Sequence, residues 1–238
     1  MAVQPLEINL DIRPNRRFEI IDVSALLCDQ VGDALHPFRK AVYCSFHTTA
    51  GYLEQGVCRH LGHSRKQLDP FIRAVQKIFP HDAGYFHDRM QLRDELSDSQ
   101  KEKEPVNADS HLTFIGAGLK NCVTYLHRPD EPVYFIELDG IYKDYVRDRR
   151  TTVMAYDRAE IVHRGRIAIP VEGDHAIDSF NLKDARYGLF EQLEEWSRQY
   201  GVDKGCIDIR LAPEEEHVGM TVNEYETLLM RNDLPEVL

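Results

Sequence analysis

Polar and apolar positions alternate over Leu6–Ile12 (L-E-I-N-L-D-I), the period of a half-buried strand. Arg17–Asp22 (R-F-E-I-I-D) reads as its hairpin partner. Ser24 then opens a helix as N-cap, with Leu27, Val31 and Leu35 at helical spacing and Pro37 as the stop. Ala41–Phe46 is rich in aromatic and β-branched residues and reads as a strand, with Val42, Cys44 and Phe46 on one buried face. Asp69-Pro70 predicts an N-cap and a first helical position, followed by Ile72, Val75 and Phe79 on one face and a stop at Pro80. Asn107 caps a helix from Ala108 to about Ala117. Cys122–Leu126, Val133–Leu138 and Thr151–Tyr156 follow as strands.

The last third reads differently. Ile161–Pro170 and Cys206–Leu211 pattern as strands. Leu182–Tyr200 carries Leu182, Ala185, Leu189, Leu193, Trp196 and Tyr200 on one helical face, and Gly201 is the C-cap signal. Thr221–Met230 predicts a final helix. The charged stretch Asp94–Pro105 reads as a solvated loop inside the domain. Strands and helices mix without a βαβ rhythm, so the predicted class is α+β, a mostly antiparallel sheet with helices packed on it. The expected division is residues 1–156 as the main domain and 157–238 as an α/β extension packed on it.

Composition narrows the function classes. With 42% hydrophobic residues in 238, the chain can build a sizeable core. Its 29 Lys and Arg against 40 Asp and Glu give a net charge of −11, which repels a phosphate backbone and argues against nucleic acid as a partner. No apolar run is long enough for a membrane span, and the first residues lack an apolar signal core. The five cysteines are odd in number and lack CxxC spacing; they read as reduced thiols, and the expected location is cytoplasmic.

Three histidines stand apart from the other eight. His47 ends a buried strand, His87 follows a helix and a glycine, and His111 lies in the first turns of a helix. Neutral imidazoles are common ligands for zinc, and three of them plus an open water position make a catalytic site. Asp88 and Asp109 sit beside two of them in sequence and are placed to orient a ring. The bland alternative makes His47 a satisfied core histidine, His87 a loop residue and His111 a ring bonded to a backbone carbonyl. Arg147, Arg149 and Arg150 cluster; a solvated strand edge competes with phosphate binding as their reading. Cys44 reads as a small buried hydrophobe. Gly116-Ala117-Gly118 follows a helix instead of opening one, so it is not a phosphate loop.

Taken in order, Phe46-His47-Thr48-Thr49-Ala50, Asp69-Pro70, Gly84-Tyr85-Phe86-His87-Asp88, Asn107-Ala108-Asp109-Ser110-His111-Leu112 and Ile136-Glu137-Leu138-Asp139-Gly140 resemble the YjbQ-like family, also called secondary thiamine-phosphate synthase-like. The resemblance covers about Leu6–Tyr156 and implies a two-layer α+β fold assembled as a homotrimer. It implies a divalent metal ion, zinc being the expected one, held by His47, His87 and His111. It also implies a metal-dependent activity on a small phosphorylated substrate, joining a pyrimidine diphosphate to a thiazole phosphate. Asp88 and Asp109 then serve as ring orienters or proton acceptors, and Arg147 and Arg149 as an anion clamp. A non-catalytic metal- or ligand-binding oligomeric module is the alternative. The chain departs from the family pattern in lacking the Gly-Thr-Trp-Gln segment before Glu137 and in carrying the extension beyond residue 156.

Overall fold

The structure is a computed structural model that describes residues 4–93, 96–170, 178–215 and 218–221. The chain separates into two units, one of Met1–Gly84 with Glu104–Ala159 and one of Tyr85–Lys103 with Glu160–Leu238. In chain order the elements are β1 (Leu6–Ile12), β2 (Glu19–Asp22), α1 (Val23–Val31), β3 (Lys40–Ser45), β4 (Ala50–Gly51), α2 (Gln55–His60) and α3 (Arg65–Ile78). Then come α4 (Asp98–Lys101), α5 (Ala108–Gly116), β5 (Cys122–Leu126), β6 (Tyr134–Glu137), β7 (Ile141–Tyr142), β8 (Tyr145–Val146), β9 (Arg149–Tyr156), β10 (Asp178–Asn181), α6 (Leu189–Gln199) and β11 (Val218–Thr221). No helix among the described residues is long and apolar enough to cross a membrane.

The first unit carries antiparallel sheets of strand order β1-β9-β3-β5 and β2-β6-β4, and the two-stranded β7-β8 ladder. In the larger sheet, alternation sends Ile8, Leu10, Ile12, Ala41, Tyr43, Val123, Tyr125, Val153 and Ala155 into one core. The smaller sheet adds Ile20, Ala50, Phe135 and Ile136 to the same core. Tyr52 joins the two groups: its ring lies 5.7 Å from Tyr43 and 5.4 Å from Phe135, and its hydroxyl is 2.5 Å from Thr151 Oγ1. Val23 and Leu27 of α1 and Leu68 and Ile72 of α3 close the core. Each such aliphatic side chain stabilises by about 1.5–3 kcal/mol on burial. The expected α+β class with mostly antiparallel pairing is what this unit shows.

Several local expectations are corrected. β2 pairs with β6, not with β1, whose ladder runs along β9 instead. Between β1 and β2 the Asn15 amide donates to Glu19 Oε2 at 2.7 Å, a turn that carries the chain out of the first sheet. Asp22, not Ser24, caps α1: its Oδ1 accepts from the Ala25 amide at 3.0 Å, while Ser24 Oγ accepts from the Val133 amide at 2.8 Å. α3 begins at Arg65 and takes Pro70 inside it, with Asp69 paired to Arg73 instead of capping. Proline costs a helix one amide donor, and burial of Leu68 and Ile72 on either side outweighs it. Phe46 lies beyond β3 and is 65% exposed.

In the second unit β10 and β11 pair in parallel. The long helix expected over Leu182–Tyr200 is only Leu189–Gln199, because Asp184 caps a 3₁₀ turn and Gly188, at φ +57°, interrupts the path. Ile161–Pro170 and Cys206–Leu211 form no strand; Ile161 and Ile207 are exposed, so their alternation is unaccompanied by burial. Asp94–Pro105 contains α4, opened by a Ser97/Gln100 capping box. Thr221 ends β11, and the helix expected from it falls on residues outside those described.

Candidate functional site

The segment after β6 organises the site. Glu137-Leu138-Asp139-Gly140 runs into the β7–β8 hairpin, whose turn at Lys143 and Asp144 brings the Arg147 amide back to the Gly140 carbonyl at 2.9 Å. The Gly140 amide in turn donates to the Arg17 carbonyl at 2.8 Å. A Cβ at Gly140 would stand 2.4 Å from the Arg16 carbonyl oxygen and 2.7 Å from Pro14 Cβ. Only glycine permits this approach, which sets the Arg17 and Arg147 backbones on either side of one residue.

Three buried carboxylates brace three guanidiniums there. Arg149 grips Glu137 twice, Nε to Oε2 at 2.5 Å and Nη2 to Oε1 at 2.7 Å, and also reaches Thr49 Oγ1 at 3.0 Å. Arg147 Nη2 meets Asp139 Oδ2 at 2.7 Å, and Asn107 Nδ2 donates to the same oxygen at 2.9 Å. Arg17 holds Asp109 through Nη1 at 2.9 Å and Nη2 at 2.8 Å. His81 Nδ1 lies 3.3 Å from Asp109 Oδ1. Glu137 and Asp139 have no exposed surface. Burial pushes the Glu137 carboxyl upward, with the Arg149 hydrogen bonds pulling the other way. Among the described residues, Asp139 Oδ1 and Arg147 Nε of this network are buried without a hydrogen-bond partner.

The structure therefore assembles Asp109, Arg147 and Arg149 in one network and distributes their roles. Arg149 is not on a solvated strand edge: β9 alternation turns it inward with Thr151 and Val153, leaving Arg150 to face solvent beside Asp11. Arg149 and Asp109 hold other groups in place, and the Arg147 and Arg17 side chains keep 26% and 28% of their surface exposed. Arg17, His81, Asn107, Glu137 and Asp139 were not picked out singly as site residues by sequence reasoning. The available signal was Glu137 and Asp139 themselves, charged residues ending the apolar run Val133–Ile136.

His47 sits just past β3. Its Nε2 accepts from the Arg150 amide at 3.0 Å, and its carbonyl accepts from Asn121 Nδ2 at 2.6 Å. Desolvation first, then the Arg149 charge, push its pKa down to about 4, so the ring is neutral near pH 7. Since Nε2 accepts, Nδ1 carries the proton. His111 lies buried on α5 in the same unit. His87 is fully buried in the second unit, where its Nδ1 is 3.0 Å from Asp88 Oδ1.

The Nε2 edge of His47 is already spent on a backbone amide, which disfavours a divalent cation on that nitrogen. Ligation through Nε2 would cost the bond from the Arg150 amide, and an ion there would face the Arg149 charge. Among the described residues no group of three or more His, Cys, Asp and Glu side chains is arranged to hold a metal.

No family model and no curated protein matches the chain. Solved structures do. The chain is similar to a YbjQ-like protein of unknown function from Sulfolobus solfataricus P2, at 15% identity and a TM-score of 0.41, over 65% of this chain and 99% of that one. It is similar to a hypothetical protein from Aeropyrum pernix K1, at 14% identity and a TM-score of 0.43, over 64% and 99%. It is also similar to an uncharacterized conserved protein of the YjbQ/UPF0047 family from Clostridium acetobutylicum, at 19% identity and a TM-score of 0.38, over 61% and 97%.

Proposed function

We propose that the first unit binds a small phosphorylated molecule at the exposed sides of Arg17 and Arg147. The observation that supports this most is the bracing: each guanidinium is part-exposed, yet oriented by a buried carboxylate, Asp109 or Asp139. A guanidinium held this way offers its remaining donors in a fixed fork, the geometry that suits phosphate oxygens. With three carboxylates against three arginines the network is close to neutral, so the ligand's charge is not repelled locally despite the acidic whole. His47, a neutral donor through Nδ1, borders this network through Arg149 and Arg150.

The test is titration of the protein with pyrophosphate, followed calorimetrically and by thermal shift. Binding is expected, with a loss of about tenfold or more in Arg147→Met and in Arg17→Met. Equal affinity in wild type and both variants would place the anion elsewhere and remove this reading.

A further inference from the structure

The outward face of the four-stranded sheet carries a second reactive group. Cys44 of β3 and Cys122 of β5 are direct cross-strand partners, and their sulfurs lie 3.2 Å apart. The His127 amide donates to the Arg39 carbonyl at 2.8 Å and the Ser45 amide to the Asn121 carbonyl at 2.6 Å, so those pairs are the hydrogen-bonded rungs. Rungs alternate, which makes Cys44/Cys122 a non-hydrogen-bonded pair, with Cα atoms about 4.5 Å apart in standard geometry. That separation falls at the short end of the roughly 4.4–6.8 Å a disulfide spans. Cys122 is exposed and Cys44 half-buried; of the others, Cys58 is buried against Tyr125.

We propose that Cys44 and Cys122 form a reversible dithiol–disulfide pair that reacts with low-molecular-weight disulfides. The Cys122 thiolate attacks one sulfur of the small disulfide; that S–S bond breaks, and the departing thiolate takes up the proton Cys122 released. The Cys44 thiolate then attacks Cys122 Sγ and expels the second small thiol, which is protonated in turn. Two protein thiols are oxidised and one small disulfide is reduced to two thiols. Cys122 is exposed, and exposed links are the readily reduced ones, which makes the pair reversible. The bond would pin the rung next to Ser45/Asn121, and Asn121 holds the His47 carbonyl, so the redox state of the pair is read at the strand end that bears His47.

The test treats the full-length protein with oxidised glutathione, blocks residual thiols by alkylation and maps peptides. The expected product is a Cys44–Cys122 link within one chain, reversed by excess reduced glutathione. Cys44→Ser is expected to accumulate glutathione on Cys122 instead, because the resolving thiol is gone. Wild type that keeps glutathione on Cys122 without forming the link, or that links only between chains, overturns the proposal. Should the serine variant not fold, the wild-type map alone decides between these outcomes.

Discussion

Arg149 contributes most through what its absence would leave behind. Removing it strands Glu137, a carboxylate without exposed surface, and breaking a buried pair from one side costs about 3–5 kcal/mol. Arg149→Met is therefore expected to lower the urea midpoint strongly, and Arg149→Met with Glu137→Gln to recover part of the loss; a double-variant loss equal to the sum of the two single-variant losses would show that the pair is not coupled. His47 gives a pH signature. Its folded pKa, about 4, lies below the ordinary 6.5, so the unfolded chain binds more protons between these values. Its stabilising contribution is complete above about pH 6.5 and is lost as pH falls toward 4. His47→Gln keeps an acceptor for the Arg150 amide but does not titrate. Its stability should fall less steeply than wild type over that window, and parallel curves would remove His47 as the cause.

At the scale of elements, the hairpin after β6 and the cap of α1 make separate tests. Gly140→Ala puts a methyl against the Arg16 carbonyl, a backbone atom that cannot swing away. A loss of about 2 kcal/mol or more and weaker pyrophosphate binding are expected, since the Arg17 and Arg147 backbones must part. Unchanged stability would mean the two strands separate freely. Asp22→Ala should cost about 1 kcal/mol as a lost cap, with Ser24→Ala acting instead through the Val133 amide.

Period and composition carried the elements well where burial on one face was the whole of the physics. β1 and β5 have the bounds their alternation predicts, and β6 and β9 lie within two residues of theirs. Pairing was less legible, because alternation specifies which face is buried and says nothing about which edge a strand meets. The pairing of β2 with β6 instead of β1 is therefore not contained in its pattern. In the site, Asp109 was visible as a carboxylate near His111, and Arg147 and Arg149 as a basic cluster. Arg17 was not, since its role comes from a contact across 92 residues of chain.

For the whole molecule, the decisive question is whether an ion takes part. The network of Arg17, Arg147 and Arg149 with Asp109, Asp139 and Glu137 closes on its own charges. Thermal stability and pyrophosphate affinity are therefore expected to be the same after chelation and after zinc addition. A zinc-dependent rise in melting temperature that His47→Gln or His111→Ala abolishes would return those histidines to the role of ligands.

The amino-acid order alone determined an acidic, core-forming α+β chain, its main strand positions, and the crowding of His, Asp and Arg into a few short segments, because these follow from local period and side-chain chemistry. Tertiary structure decided which carboxylate holds which guanidinium, that Arg149 turns inward, that His47 spends Nε2 on the Arg150 amide, and that Cys44 faces Cys122. Those outcomes depend on register and on the closure of distant segments around Gly140, quantities that no single stretch of sequence contains.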